Sequence, residues 1–183
     1  MLCRTPWILL VLLAASCSGP PVAIILDQAA VRTVDHATLF AKYNASRTDG
    51  PPRQVLELRI SSQTELLKHF KDHGKQLQVR CSVNGPTNRE SYNDSAYGPF
   101  PEEASYNERH HYVVYAFVDL VAHATEYQSG KPTSTLNLKS DPFDSLSCQL
   151  VGVEKAPVPS LRSNKIVISA SSLQALLGQA AEQ

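Results

Sequence analysis

From Gln76 to Val83 every second residue is apolar: Leu77, Val79, Cys81 and Val83 share one face, while Gln78, Arg80 and Ser82 share the other. A period of two is the mark of a strand with one buried face, as in an antiparallel sheet. Ser145 to Val151 repeats it with Leu146, Cys148 and Leu150 on the apolar side, so both cysteines point from an apolar face toward a core. His111 to His123 is apolar on both sides, with Val114, Ala116, Val118 and Leu120 on one and Val113, Tyr115, Phe117 and Val121 on the other, which predicts a central strand. Val22 to Leu26, Gln54 to Ile60, Thr135 to Lys139 and Asn164 to Ile168 complete a set of about seven strands, with Asp141-Pro142 marking a turn between two of them.

Helical spacing interrupts this pattern. Ser62-Gln63-Thr64-Glu65 has the form of a capping box, Leu66, Leu67 and Phe70 follow at helical intervals, and Gly74 supplies a stop, which predicts a helix over 63–73. Ser171-Ser172-Leu173-Gln174 repeats the device before Leu176 and Leu177, predicting a closing helix. A third helix is expected over 35–43, with Asp35 as its cap and Leu39 and Phe40 inward. The fold class is therefore mainly β with some α: an antiparallel sheet or β-sandwich of about seven strands with two or three short helices.

The chain opens differently. Arg4 is the one charge before an uninterrupted apolar run from Trp7 to Ala15, a run well short of the roughly 20 residues that span a bilayer. This is the pattern of a cleaved export signal over residues 1–16. Its end, Leu13-Ala14-Ala15-Ser16-Cys17, resembles the lipobox of bacterial lipoproteins. In that family small residues admit the peptidase, and the cysteine thiol takes a diacylglyceryl group and becomes the mature N-terminus. Leucine usually stands three residues before the cysteine; here Ala14 holds that place and Leu13 lies one earlier. The resemblance implies lipidation at Cys17, with palmitate-type acyl chains as the membrane contact, and Ser18 implies placement at the outer membrane, on its periplasmic side. Ser18 to Pro21 reads as a spacer, so the organisation expected is a leader (1–16), a lipid-anchored spacer (17–21) and a single β-rich globular domain (22–183).

Cysteine use agrees with an exported address. Cys3 leaves with the leader; if Cys17 is acylated, Cys81 and Cys148 remain as one even pair, the condition for a disulfide outside the cytoplasm. A secretory cut before Cys17 would leave three cysteines, and a cut after it leaves the same pair. A bridge would close a loop of 67 residues, for which chain entropy gives at most about 4 kcal/mol.

Without Arg4, basic residues number one fewer than the 17 acidic ones, and no basic stripe interleaved with aromatics is present. That excludes the electrostatic footprint of a nucleic-acid binder. Asn84 to Glu108 is polar, contains Gly85-Pro86, Gly98-Pro99 and Pro101, and carries Tyr92, Tyr97 and Tyr106. It reads either as a recognition arm, since tyrosine offers contact area and a polar tip, or as a mobile insertion.

Candidate chemistry is sparse. His69 and His73 lie four apart on the first predicted helix but lack the His-Glu-x-x-His pattern, so a solvated face is the expectation and no metal site is assigned. Glu108, His110 and His111 cluster at the entry of the long strand, and His123 ends it about 40 Å from His111 if the strand stays extended. His111 and Asp119 share a strand face but are too far apart to touch, so a Ser-His-Asp relay would need partners from elsewhere in the chain. Asp119, among apolar neighbours, is expected as a satisfied structural carboxylate. No Gly-x-Ser-x-Gly, Walker loop, Gly-x-Gly-x-x-Gly or Cys-x-x-Cys occurs, and no cofactor is assigned. Asn44-Ala45-Ser46 and Asn93-Asp94-Ser95 fit the N-glycosylation pattern and would suit a secreted glycoprotein.

The expectation is a lipid-anchored cell-envelope protein whose β-rich domain is a non-enzymatic binding or structural module. Tyr92, Tyr97, Tyr106, His110 and His111 are its candidate contact residues for a protein or small molecule. The alternatives are a secreted N-glycosylated binding protein, or an exported hydrolase or metal-dependent enzyme using His110 and His111.

Overall fold

The computed structural model describes residues 20–35, 52–85, 91–93, 96–102, 108–122, 134–153 and 161–181. In chain order the elements are β1 (Ile25–Val34), β2 (Arg53–Ser62), α1 (Leu66–Asp72), β3 (Gln76–Asn84), β4 (Ser91–Asn93), β5 (Ala96–Pro101) and β6 (His110–Phe117). They continue with β7 (Asp119–Ala122), β8 (Ser134–Asn137), β9 (Ser145–Val153), β10 (Ile166–Ser169) and α2 (Ala170–Ala181). Two four-stranded antiparallel sheets result, ordered β1-β2-β6-β5 and β10-β9-β3-β4, with β7 and β8 paired separately. The mainly β reading with an antiparallel arrangement holds.

The sheets share one apolar layer. Leu56, Leu58 and Ile60 of β2 and Tyr112, Val114 and Ala116 of β6 meet Val79, Cys81 and Val83 of β3 and Leu146, Cys148 and Leu150 of β9. Burying each large aliphatic side chain contributes roughly 1.5–3 kcal/mol. Within this layer Cys81 and Cys148 stand directly opposite in the β3–β9 register, and the disulfide joins them across a Cα separation of 4.0 Å. The expected pairing and its burial are both present. A gap of about 10 Å³ beside it, lined by Ile24, Leu58, Val114, Cys148, Leu150 and Ile166, is apolar and too small for an organic ligand.

Several boundaries differ from the sequence reading. The strand expected over 22–26 begins at Ile25, because the backbone of Val22 and Ile24 is taken by the other sheet's connecting segment: Val22 N–H donates to the Arg162 carbonyl at 2.8 Å, and Ile24 N–H to Asn164 Oδ1 at 2.7 Å. The strand expected over 111–123 breaks at Val118, whose N–H goes to Gln54 and whose carbonyl accepts from Leu138, after which β7 pairs with β8. β6 is central as expected, lying between β2 and β5. The segment read as a loop over 84–108 holds β4 and β5. Gly98 lies at φ +118° inside the register shift between Tyr97 and Phe100, so the alternation that would have marked a strand is broken there.

Helix α1 is shorter than the predicted 63–73, and the capping box does not form. Ser62 Oγ donates to the Ala23 carbonyl at 2.8 Å and accepts from Thr64 N–H, while Glu65 occupies the N-cap without a side-chain bond. Tyr112 supplies the missing acceptor: its hydroxyl oxygen takes the Leu66 N–H at 2.8 Å. The predicted stop holds, since Gly74 at φ +68° follows the helix, with Gly74 N–H bonded to the Lys71 carbonyl and Lys75 N–H to that of Phe70. This is a Schellman closure. In α2 the cap is Ser169, whose Oγ accepts from Ser172 N–H at 3.2 Å, two residues earlier than the predicted Ser171. Leu173 is buried, and Leu176 and Leu177 pack against the shared layer. Asp35 is not helical, and the rest of the helix expected over 35–43 lies outside the described residues.

Candidate functional site

Alternation along β2 and β6 sends Leu56, Leu58, Ile60, Tyr112, Val114 and Ala116 inward, and therefore Val55, Glu57, Arg59, Ser61, His111, Val113, Tyr115 and Phe117 to the outer face of the first sheet. Three groups of side chains occupy that face.

At one end Asp27, Ser61 and His111 come together from three adjacent strands. The β1–β2 register shifts between Leu26 and Gln28, so Asp27 is the unpaired residue of a bulge, the backbone device that re-aims a side chain. Its Oδ1 accepts from Ser61 Oγ at 3.0 Å, and its Oδ2 lies 3.5 Å from His111 Nδ1. Ser61 is fully buried and His111 is 7% exposed, whereas the Asp27 side chain is 35% exposed. In a hydrolytic relay the imidazole stands between carboxylate and hydroxyl so that it can take the hydroxyl proton. Here the carboxylate stands between the other two, and the serine proton is committed to it. The arrangement gives the buried Ser61 hydroxyl a partly solvated acceptor and sets the same carboxylate beside the buried imidazole.

Mid-face, Arg59 Nε lies 3.2 Å from Glu57 Oε1 and its Nη1 3.5 Å from Glu102 Oε1. At the far end the aromatic rings gather: Tyr97 meets Phe117 edge-on at 5.4 Å, Phe100 lies 5.9 Å from Tyr115, and the Arg53 guanidinium stands 5.3 Å over Phe117.

The five predicted contact residues are separated. Tyr97 joins the outer face through β5, and His111 joins it through β6. His110 is opposite Ser62 and, as the strand neighbour of His111, projects to the other side of the sheet, so one site cannot use both imidazoles. Tyr92 belongs to β4, in the second sheet, and Tyr106 lies outside the described residues, as do Cys17, Asn44 and His123. Asn93 pairs with Cys81 through the β4 backbone, and Asp119 begins β7 opposite Asn137. The His69 ring on α1 lies 4.5 Å from that of His73, the residue that follows the helix, at a tilt of 50°, with His73 Nδ1 donating to the His69 carbonyl at 2.7 Å. Among the described residues no three His, Cys, Asp or Glu side chains converge as a metal site. Sequence reasoning missed Asp27 and Ser61. The one signal was an acid directly after the apolar Val22–Leu26 stretch, and spacing along the chain does not reveal cross-strand register. No family model matches the chain, and neither a curated protein nor a solved structure is significantly similar to it.

Proposed function

We propose that this chain is an exported, lipid-anchored envelope protein whose β-sandwich serves as a binding or structural module, with the outer face of the β1-β2-β6-β5 sheet as its contact surface. The observation that carries the reading is the buried Cys81–Cys148 disulfide at opposed register positions. Such a bridge forms and persists in oxidising compartments, and the leader ending at Cys17 supplies the route to one. Tyr97, Tyr115, Phe100 and Arg59 offer a mixed aromatic and charged surface of the kind that recognises protein or small-molecule partners. The inverted order of Asp27, Ser61 and His111 favours a structural role for that cluster over a hydrolytic one.

Labelling with radioactive palmitate in a two-membrane bacterium tests the anchor. The wild-type protein takes up label, and Cys17→Ala takes up none and keeps its leader. Unlabelled wild type carrying glycans at Asn44 or Asn93 after expression in a eukaryotic cell would replace this reading with that of a secreted glycoprotein.

A further inference from the structure

We propose that the end of the sandwich formed by α1 and the segment before β1 docks on an anionic lipid surface, an inference that rests on anchoring at Cys17. Four residues, Ser18 to Pro21, separate that cysteine from Val22. Fully extended, the chain from Cys17 to Val22 reaches about 17 Å. Val22 is itself held: its N–H donates to the Arg162 carbonyl, its carbonyl accepts from Asn164 N–H at 3.1 Å, and the Asn164 side chain brackets both backbone groups of Ile24. The tether therefore leaves the domain at a fixed place.

Helix α1 lies at that same place. Ser62, which binds the Ala23 carbonyl, precedes the helix by one turn, and Gly152, whose N–H binds the Leu161 carbonyl beside Arg162, packs against Phe70 and Lys75. With Leu66 and Phe70 buried, α1 turns Leu67, Lys68 and Lys71 outward. Lys68, Lys71 and Lys75 outnumber Glu65 and Asp72 there, and exposed Arg162 and Lys165 add two further cations from the segment that grips Val22. Of the three large apolar side chains exposed among the described residues, Leu67 at 40% and Ile25 at 47% are both at this end. Cations around protruding apolar side chains, held within reach of the acyl anchor, match the headgroup and interfacial layers of an anionic bilayer.

The single tryptophan, Trp7, leaves with the leader, so Leu67→Trp gives the mature protein one reporter at the docking end. Thr33→Trp places one roughly 26 Å along β1 from Ile25. Each acylated variant is incorporated into phosphatidylglycerol–phosphatidylcholine vesicles, or phosphatidylcholine alone, containing brominated lipid. The expected result is quenching and a blue shift for the position-67 reporter on anionic vesicles only, with the position-33 reporter unchanged. Adding Lys68→Gln and Lys71→Gln lowers the docked-to-undocked ratio about thirtyfold, and high salt acts in the same direction. Ile25→Trp is the second reporter should Leu67→Trp not fold. Protein that is acylated by mass and floats with the vesicles, yet shows no quenching at 67 and 25, overturns the docking face alone; so does equal quenching on both lipids or at position 33, or a blue shift that depends on protein concentration without vesicles. An unacylated protein that does not float overturns the anchor and the docking together.

Discussion

At the residue scale, polar groups are satisfied by partners that local motifs do not name. Tyr112 reads in sequence as one more apolar position of β6, yet its hydroxyl caps α1. Burial holds its pKa above the ordinary 10.0; the Leu66 N–H opposes this and the Glu65 charge adds to it. The folded state therefore retains the proton more tightly, so this contribution to stability is full below pH 10.0 and is lost as pH rises through the raised value. Tyr112→Phe leaves the Leu66 N–H unpaired and lowers stability by about 1–3 kcal/mol near neutral pH. In urea titrations the gap between wild type and variant narrows above pH 10.0; a constant gap would show that the hydroxyl is not the cap. Glycine positions give a second contrast. A Cβ at Gly98 would lie 2.8 Å from the Val113 carbonyl oxygen at φ +118°, whereas Gly74, at φ +68°, faces open space. Gly98→Ala is expected to cost about 2–4 kcal/mol and Gly74→Ala about 1 kcal/mol, measured as urea midpoints. Equal losses would contradict the close approach.

At the element scale, what the sequence revealed depended on whether periodicity ran unbroken. β3 and β9 were legible because their inward rows are uniformly apolar. β5 was not, because Gly98 and Pro99 fall inside the strand and mimic a loop. The 22–26 and 111–123 runs were legible as extended chain but not as to partner, since apolar residues bury equally well against either sheet; hydrogen bonds that Val22, Ile24 and Val118 donate to Arg162, Asn164 and Gln54 decide where each strand begins or ends. The α1 cap failed because Ser62 is drawn to Ala23 by a tertiary contact. The same limit hid the outer-face cluster: His111 was visible in the chain, and the bulged Asp27 and Ser61 that meet it were not. Between β3 and β9 the disulfide joins positions separated by 67 residues. Replacing both cysteines by alanine is expected to lower stability by up to about 4 kcal/mol, and a reducing agent should shift the wild-type urea midpoint to match. An unmoved midpoint would contradict a structural role for the bridge.

At the scale of the whole molecule, two antiparallel sheets enclose one apolar layer, α2 packs against β1 and β10, and the chain enters at the α1 end through the Val22–Ile24 clamp. The proposed anchor and the fold then assign different work to different surfaces: the tether end toward lipid, the outer face of the first sheet toward a partner. Weakening the clamp tests this coupling. Asn164→Ala removes both side-chain bonds to Ile24 and is expected to cost about 1–3 kcal/mol, and faster hydrogen exchange of the Ile24 amide should accompany the loss. Exchange unchanged from wild type would mean that the segment is held by other contacts.

The central claim, an oxidised sandwich exported and tethered through one thiol, is tested most directly by the intact mass of the mature protein purified from membranes. The account predicts a chain beginning at Cys17, bearing a diacylglyceryl group and lighter by two hydrogens for the Cys81–Cys148 bridge. A mass that retains Trp7, an unmodified N-terminus, or two free thiols at Cys81 and Cys148 would contradict it.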